Sequence, residues 1–422
     1  MTPLRILAML CLIAPAYISC SQELRDAGFY RRQADSLKSI YPFINLDSNR
    51  IPGDTSGLMQ FFAKLDRIGQ GSGEQAVVTH IGDSHVQPGV ITLPLREWLQ
   101  SAFGNAGPGM MFPYRVAKSN GPSGYISRCD TPWIYTRNAL PVRPLPTGIA
   151  GFTLQSSGSS PSFTIEFTSP VSYGYDASRL IIFHEDRDSC YRFTVINEMS
   201  GHPYPIADTS VPFRTTFLID DQPVKIRIRA NKTSESQSSA TFYGMSLESA
   251  CPGVIVHTIG VNGAMFSSYL ASEHFTGQLA SLRPDLIIVS LGTNEAYNPK
   301  DFDPARFRET IDSLFSNFRA AGIHAPVLLT TPPGICQSYR KKRRTYYKPN
   351  PLAATVSGII RDYAGSNGMA VWDWFTVMGG KDSMAKWKAK HLTDRRMVHF
   401  SARGYEIQGM LLRQAVIECY NR

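Results

Sequence analysis

The chain has 422 residues, of which 43% are hydrophobic and 18% are charged. This composition excludes intrinsic disorder, collagen and coiled coil for the bulk of the chain, and the length allows two or three domains whose cores need no disulfides. The formal charge of +9 suits an anionic partner, although charge alone does not say which one.

The N-terminus has the layout of a secretory signal, with Arg5 followed by an apolar run over residues 6–14. This run is too short for a membrane span, which needs about 20 apolar residues. It leads to Cys20 and resembles a bacterial lipoprotein signal, although Tyr17 stands where Leu is usual. We predict a signal over 1–19, export to the cell envelope (periplasm or outer-membrane surface) and attachment through a lipid on Cys20. A cleaved signal with an incidental cysteine is the alternative.

The remaining cysteines do not indicate a metal site or a disulfide framework. Beyond Cys20 there are five, an odd number, and no two of them form a CxxC pair. The missing CxxC pair argues against a zinc knuckle. A pairing of Cys129 with Cys190 or Cys251 stays open.

Strands and helices alternate in two separate parts of the chain, after an N-terminal extension over 20–70. Apolar runs predict strands, and apolar residues at helical spacing predict helices. The predicted strands are 76–82, 253–260, 285–292, 326–331 and 369–375, and the predicted helices are 58–68, 90–103, 305–320 and 405–417. Such alternation is typical of an α/β fold with a doubly wound parallel sheet. Residues 71–119 and 251–422 would be its two parts.

The segment between these parts, 120–250, has a different pattern. Its helical period disappears, and short β-type runs separated by turn residues take its place. The runs are 151–156, 162–168, 179–184, 191–197, 213–219, 224–230 and 240–247. We therefore predict an all-β sandwich inserted between the first and second strands of the α/β part.

Four short motifs carry residues suited to acyl transfer. Ser84 follows the first strand in IGDSHVQPG, and Gly263 follows the second in HTIGVNGAM. Asn294 follows the third in SLGTNEAY, and His399 lies before the last helix in VHFSARGY. A serine activated by a histidine is a nucleophile, and backbone N–H groups or an Asn amide can stabilise an oxyanion. Each motif alone also fits a turn, a helix cap or a structural histidine.

Taken together and in this order, the motifs resemble those of the SGNH (GDSL-type) hydrolases. Gly82-Asp83-Ser84 matches the first family block, Gly263 the second, Gly292-x-Asn294 the third and His399 the last. The resemblance implies a flavodoxin-like sheet with Ser84 as nucleophile and His399 as base. It further implies an oxyanion hole formed by the Ser84 N–H, the Gly263 N–H and the Asn294 side chain, and neither a metal nor another cofactor.

The last block departs from the family pattern, in which an acid stands three residues before the histidine. Arg396 occupies that position, and the nearest acid is Asp394. Either Asp394 reaches His399 across a longer loop or the site is a Ser–His dyad. Asp373, at the end of the last predicted strand, is a fallback for the orienting carboxylate.

The order of the motifs and the β-insert along the chain points to one subgroup of these hydrolases. The GDS-His start, the stretch 96–104, the β-insert and residues 259–264 look like exported bacterial esterases of the peptidoglycan O-acetylesterase kind, in which the insert resembles a carbohydrate-binding module. Candidate substrate contacts beside the motifs are His85, Glu295 and Tyr297. Candidates for sugar stacking are Tyr125, Trp133, Tyr135 and Tyr173, each of which also fits a core or rim position.

The basic run RKKRRTYYK, over 340–348, holds five consecutive cations and predicts an exposed loop. Export makes a nucleic-acid partner implausible. The run is either merely solvated or a rim that attracts anionic glycan or a membrane surface.

These observations favour a serine esterase that removes O-acetyl groups from a cell-envelope glycan, with peptidoglycan preferred. An acetylesterase on plant or host polysaccharide is close behind. A catalytically weak glycan-binding surface lipoprotein is the alternative from another class, and Arg396 is its main support. A lipase or thioesterase ranks lower because no long apolar lid is evident. The sequence does not indicate an oligomeric state.

Overall fold

The computed structural model describes residues 27–53, 55–168, 177–297 and 302–422. The predicted signal, Cys20 and Tyr173 lie outside these residues. The described strands are β1 (Gln75–Gly82), β2 (Gly109–Met111), β3 (Tyr125–Cys129), β4 (Ile134–Arg137), β5 (Phe152–Ser156), β6 (Ser162–Phe167), β7 (Arg179–His184), β8 (Arg192–Asn197), β9 (Ile206–Asp208), β10 (Arg214–Leu218), β11 (Lys225–Asn231), β12 (Ala240–Glu248), β13 (Gly253–Gly260), β14 (Leu286–Ser290), β15 (Val327–Thr330), β16 (Cys336–Lys341), β17 (Arg344–Pro349) and β18 (Ala370–Trp372).

The described helices fall mainly in the two outer parts of the chain. They are α1 (Ala27–Ile40), α2 (Ser56–Gly69), α3 (Leu93–Phe103), α4 (Phe266–Leu270), α5 (Phe275–Ser281), α6 (Thr293–Tyr297), α7 (Pro304–Ala320), α8 (Leu352–Ser366), α9 (Trp374–Val377), α10 (Ser383–Ala389) and α11 (Ala402–Tyr420). None of the helices in the described ranges is both long and apolar enough to cross a membrane.

Five parallel strands form the central sheet, in the order β13-β1-β14-β15-β18. In chain order this is the 2-1-3-4-5 arrangement of a flavodoxin-like, doubly wound fold, so the predicted fold class is confirmed. β1 lies between β13 and β14, and its last residue, Gly82, is level with Gly260 and Ser290. The carboxyl ends of the first three strands therefore meet at one edge of the sheet.

Helices cover both faces of this sheet because its strands are apolar on both sides. In β14, Ile287 and Val289 point into one core, which they share with the apolar stripes of α7 and α8. Leu286 and Ile288 point into the other core, together with residues of α2, α3 and α11. The continuous apolar run in the sequence thus reports burial on two faces.

The inserted segment is an antiparallel sandwich, as predicted. One sheet has the order β4-β5-β12-β7-β10-β9, with β2 also paired to β12, and the other has the order β3-β6-β11-β8. In β11 the alternating pattern of the sequence becomes alternating burial, and Ile226, Ile228 and Ala230 point inward. Since β2 precedes residue 120, one strand of the sandwich comes from the segment before the insert boundary we expected.

The sandwich and the parallel sheet share one continuous apolar core, in which Phe152 and Tyr243 of the sandwich join Ile81 and Val261 of the α/β part. The two parts approach each other closely at Gly151, where an added Cβ would lie 2.4 Å from the Val261 side chain. Gly151 also has a φ of 68°, which favours glycine. The insert is therefore packed against the segment that leads to Gly263.

The basic run does not form the loop that its composition predicts. β16 and β17 pair as an antiparallel hairpin, and Lys342 and Arg343 at its tip have φ values of 48° and 63°. Such a turn, with positive φ at both central residues, matches the twist of a two-residue hairpin. The predicted exposure is correct, because residues 338–346 are all exposed.

Candidate active site

Ser84 lies at the carboxyl end of β1, in the turn that follows the strand. Gly82 permits this turn, because a Cβ there would lie 2.3 Å from the Val86 side chain and 2.8 Å from the Ser290 carbonyl oxygen. The N–H groups of Val86 and Gln87 donate to the Asp83 carbonyl oxygen and close the turn. Because the connections from β1 and β14 leave in opposite directions, Ser84 lies at the topological switch point of the sheet, where α/β folds bind ligands.

His399 reaches Ser84 from the C-terminal part of the chain. The distance from Ser84 Oγ to His399 Nε2 is 2.8 Å, a hydrogen bond between residues 315 positions apart. The His399 side chain is 43% exposed, so the pair is open to solvent from one side. This contact gives the serine a base within proton-transfer distance.

Asp394 lies beside His399 across a wide turn. Its N–H donates to the His399 carbonyl oxygen at 2.9 Å, and Thr393 and Phe400 bridge as in an antiparallel ladder. Asp394 Oδ2 is 3.6 Å from His399 Nδ1, and Asp394 Oδ1 accepts the Val398 N–H at 3.2 Å. The longer spacing in the sequence therefore still brings a carboxylate to the imidazole, at ion-pair distance rather than hydrogen-bond distance.

Asp373, the fallback acid, has other partners. Its carboxylate accepts from Thr331 Oγ1 at 2.9 Å, from Thr376 Oγ1 at 2.6 Å and from the Arg361 guanidinium at 2.6 Å. It caps α9 and joins β18 to α8, so its contacts are structural.

Gly263 and Asn294 lie near Ser84 at the ends of the neighbouring strands. Gly263 has a φ of 86°, a left-handed backbone conformation that residues other than glycine rarely adopt. This conformation sets the direction of its N–H. Asn294 Nδ2 donates to the Ala264 carbonyl oxygen at 2.9 Å and lies 3.5 Å from Asp83 Oδ2. The Asn294 amide is therefore tied both to the loop that holds Gly263 and to the residue before Ser84.

Part of the chain is similar to a known protein family. Residues 230–407 match the family model of the GDSL-like lipase/acylhydrolase family. The match includes Gly263, Asn294, Asp394 and His399, whereas Ser84 lies before it, on the other side of the insert.

Solved structures similar to this chain include a peptidoglycan O-acetylesterase, with 22% identity and a TM-score of 0.70. The alignment covers 86% of this chain and 96% of that one, so it shows the fold over most of the molecule. A lipase/acylhydrolase from Enterococcus faecalis is 20% identical over 40% of this chain and 77% of its own, with a TM-score of 0.30. The acetylxylan esterase Axe2 from Geobacillus stearothermophilus is 17% identical over 39% and 73%, with a TM-score of 0.29. No curated protein sequence matches the chain.

The position of His85 in the motif predicts a substrate contact, but the side chain does not line the open side of the site. It is 4% exposed, with its ring 5.2 Å from the His399 ring and its Nδ1 3.1 Å from the Tyr405 hydroxyl. Burial lowers the pKa of His85 to about 3, so the ring is neutral. We therefore correct its expected role from substrate contact to support behind His399.

Glu295 also points inward rather than toward a substrate. Its Oε1 accepts the Phe266 N–H at 2.8 Å, which fixes the start of α4 just after the Gly263 loop. Burial, reinforced by the nearby Asp83 carboxylate, raises the pKa of Glu295 to about 7, and burial raises that of Asp83 to about 7 as well. Tyr297 is 48% exposed and is the one of the three expected contacts that faces solvent.

Gln87 is a site residue that the sequence analysis missed. Its Oε1 accepts the Asn262 N–H at 2.6 Å, and its Nε2 donates to the Asn120 carbonyl oxygen at 2.6 Å and to Ser119 Oγ at 2.9 Å. This buried amide thus ties the entry of the insert to the residue before Gly263. Its position three residues after Ser84 was the only signal, and a glutamine there carries no chemistry of its own.

The aromatic residues proposed for sugar stacking divide by burial. Tyr125 and Trp133 are 7% and 8% exposed, and both are core residues whose polar atoms bond to the chain. Tyr135, with 36% exposure, remains available to a ligand. In the described ranges, no group of three or more His, Cys, Asp or Glu side chains is arranged to hold a metal ion.

Proposed function

We propose that this protein is a serine O-acetylesterase that removes acetyl groups from a cell-envelope glycan, with peptidoglycan as the substrate. The observation that carries the proposal is the 2.8 Å contact between Ser84 and His399 at the switch point of the sheet. The structural likeness to a peptidoglycan O-acetylesterase, which extends over the insert as well, supports the choice of glycan.

In the proposed reaction, Ser84 Oγ attacks the acetyl carbonyl carbon while His399 Nε2 takes its proton. The carbonyl oxygen becomes an oxyanion, which the N–H groups of Ser84 and Gly263 and the Asn294 amide stabilise. The bond to the glycan oxygen then breaks, and His399 returns the proton to that oxygen. Water, deprotonated by His399, then attacks the acyl carbon, the bond to Ser84 Oγ breaks, His399 returns the proton to Ser84 Oγ, and acetate leaves. Asp394 stabilises the imidazolium that forms in each half-reaction.

The geometry supports these roles in two ways. In the described part of the chain, no hydrogen-bond acceptor takes the backbone N–H of Ser84 or of Gly263, so both donors are free for a ligand. His85 is neutral, which avoids a second positive charge behind His399 when its ring becomes protonated.

Acetate release by residues 21–422, which lack the predicted signal and Cys20, tests the proposal. The substrates are 4-nitrophenyl acetate and O-acetylated peptidoglycan, acetylated xylan is the comparison polysaccharide, and Ser84→Ala is measured alongside. We expect serine-dependent release from both substrates. Release from neither, with a folded protein, would favour the glycan-binding alternative. Release from acetylated xylan but not from peptidoglycan would move the substrate to plant polysaccharide.

We also propose that the protein is exported and attached to a membrane through a lipid on Cys20, a proposal that rests on the N-terminal sequence pattern alone. Radiolabelled palmitate should be incorporated by the parent and lost in Cys20→Ala. We expect Cys20→Ala to appear in the soluble envelope fraction, because the variant lacks the lipid that attaches the parent to the membrane.

A further inference from the structure

The hairpin β16–β17 carries a concentrated positive charge outside the site. Residues 336–350 contain six cations and no acid. The cations are Arg340, Lys341, Lys342, Arg343, Arg344 and Lys348. Every one of these side chains is exposed, so the hairpin presents concentrated positive charge that the fold itself does not neutralise.

The hairpin is attached to both loops that build the candidate site. At its base, the Cys336 N–H donates to the Met397 carbonyl oxygen at 3.0 Å, two residues before His399. Asn350, just after the hairpin, donates through Nδ2 to the Ala296 carbonyl oxygen at 2.6 Å, two residues after Asn294. The base of the hairpin is thus fixed beside the site rather than on a remote surface.

Further cations continue this surface along the turn that holds His399. Lys388 lies 5.5 Å from the centre of the Tyr347 ring, and its Nζ donates to the Arg395 carbonyl oxygen. Arg395 and Arg396 are exposed on the same turn. Arg396, which replaces the family's usual acid, is therefore part of a basic surface that reaches from the hairpin to the catalytic histidine.

One face of the hairpin also carries an aromatic pair. Tyr339 and Tyr346 are cross-strand partners, their rings are stacked with centroids 5.6 Å apart, and both are at least 40% exposed. Lys348 lies on one side of this pair, and Lys341 and Arg344 lie on the other. Flat apolar rings beside cations suit a sugar ring that bears a carboxylate.

We infer that the hairpin and the adjoining turn bind the anionic groups of the polymer whose ester is cleaved, so that the substrate is a carboxylate-bearing acetylated glycan. The inference rests on the proposed function and deepens it. A neutral acetylated polysaccharide would gain nothing from this surface, and a small ester would not reach it.

The test compares two variants that each lose two exposed cations. In the hairpin variant, Lys342→Asn with Arg343→Gly, the new residues are those that such a turn prefers, so the hairpin is retained. In the control variant, Arg31→Gln with Arg32→Gln, the charges are removed from α1. The readout is the ratio of kcat/KM on O-acetylated peptidoglycan to kcat/KM on 4-nitrophenyl acetate.

We expect this ratio to fall about three- to tenfold in the hairpin variant and to stay at the parent value in the control variant. As salt is raised, the ratios of the hairpin variant and the parent should become equal, because salt screens the charges. Amidation of the peptidoglycan carboxylates should abolish the difference. If the parent releases acetate through Ser84 but the hairpin variant has the same ratio as the parent, the inference is overturned and the proposed function stands.

A binding assay separates the two failures. In a Ser84→Ala background, co-sedimentation with peptidoglycan should weaken with the hairpin changes whether or not the parent is an esterase. If the hairpin changes instead weaken only sedimentation with phosphatidylglycerol vesicles, the surface binds membrane and the inference is wrong.

Discussion

At the scale of single residues, Asp394 and Asp373 are both candidates for the carboxylate that orients His399, and single substitutions distinguish them. Asp394→Asn keeps the shape of the turn but removes the charge beside His399 Nδ1. We expect kcat/KM on 4-nitrophenyl acetate to fall roughly 10²- to 10⁴-fold, as when an orienting carboxylate is neutralised.

Asp373→Asn is the matched control for this measurement. It loses the ion pair with Arg361 and weakens the cap of α9, so we expect it to lower the free energy of unfolding by about 1–3 kcal/mol with kcat close to that of the parent. Activity kept in both variants would show that the site is a Ser–His dyad, whereas activity lost only in Asp373→Asn would make Asp373 the orienting carboxylate.

The buried acids Asp83 and Glu295 predict a pH dependence of stability. Their pKa values in the folded state, about 7, lie above the ordinary 3.8 and 4.5, so the native state binds more protons than the unfolded state between about pH 4 and 7. The free energy of unfolding should therefore fall as pH rises through this window and level off above it.

Glu295→Gln tests this dependence, because the amide oxygen can still accept the Phe266 N–H while the charge disappears. We expect the loss of unfolding free energy between pH 5 and pH 8, measured by urea titration, to shrink by roughly 1–2 kcal/mol. Glu309→Gln, on the exposed side of α7, should leave it as in the parent. An unchanged loss in Glu295→Gln would mean that its carboxyl is ionised in the folded protein.

At the scale of loops and elements, the buried Gln87 side chain joins three segments: the turn after Ser84, the entry to the insert and the loop that holds Gly263. Gln87→Ala removes the bonds to Asn262, Ser119 and Asn120 together. We expect kcat to fall about tenfold with little change in KM, because the Gly263 N–H loses its position in the transition state.

Gln87→Glu retains the acceptor for the Asn262 N–H and should recover part of kcat. A variant series in which the melting temperature falls but kcat does not would assign Gln87 a purely structural role.

The sequence predicts the elements whose pattern follows from burial. β13, β14 and α7 agree with the predicted bounds within one or two residues. The two strands are continuous apolar runs because both of their faces are buried, and the helix has one apolar stripe because one face is buried. The hairpin β16–β17 was missed because cross-strand pairing between exposed residues leaves no hydrophobic period. The short strands β2 and β9 were missed because three residues cannot establish one.

The site could be predicted only in part for a related reason. Ser84, Gly263, Asn294 and His399 each follow a strand or precede a helix, so topology brings them together. Burial of His85 and Glu295 depends on tertiary packing around polar side chains, which the local sequence does not report. The reach of Asp394 depends on a turn in which Met397 has a φ of 56°, an uncommon conformation for that residue.

At the scale of the whole molecule, the shared core predicts cooperative unfolding. Because Ile81 and Val261 pack in the same cluster as Phe152 and Tyr243, neither part can lose its structure without exposing the other. We expect one transition in calorimetry, with near-ultraviolet and far-ultraviolet circular dichroism changing together. Two separated transitions would show that the insert is an independent unit.

The central position of β1 has a consequence for how the molecule is made. β1 ends at Gly82, but its two neighbours start at Gly253 and Leu286, so the strand has no partners when it leaves the ribosome. At roughly 5–20 residues per second, it waits on the order of 10–40 s for them. Ser84 waits longer still, since His399 is translated 315 residues later. Any chemistry that needs this pair therefore begins only after His399 has been translated, and a nascent chain that stops before His399 lacks the base.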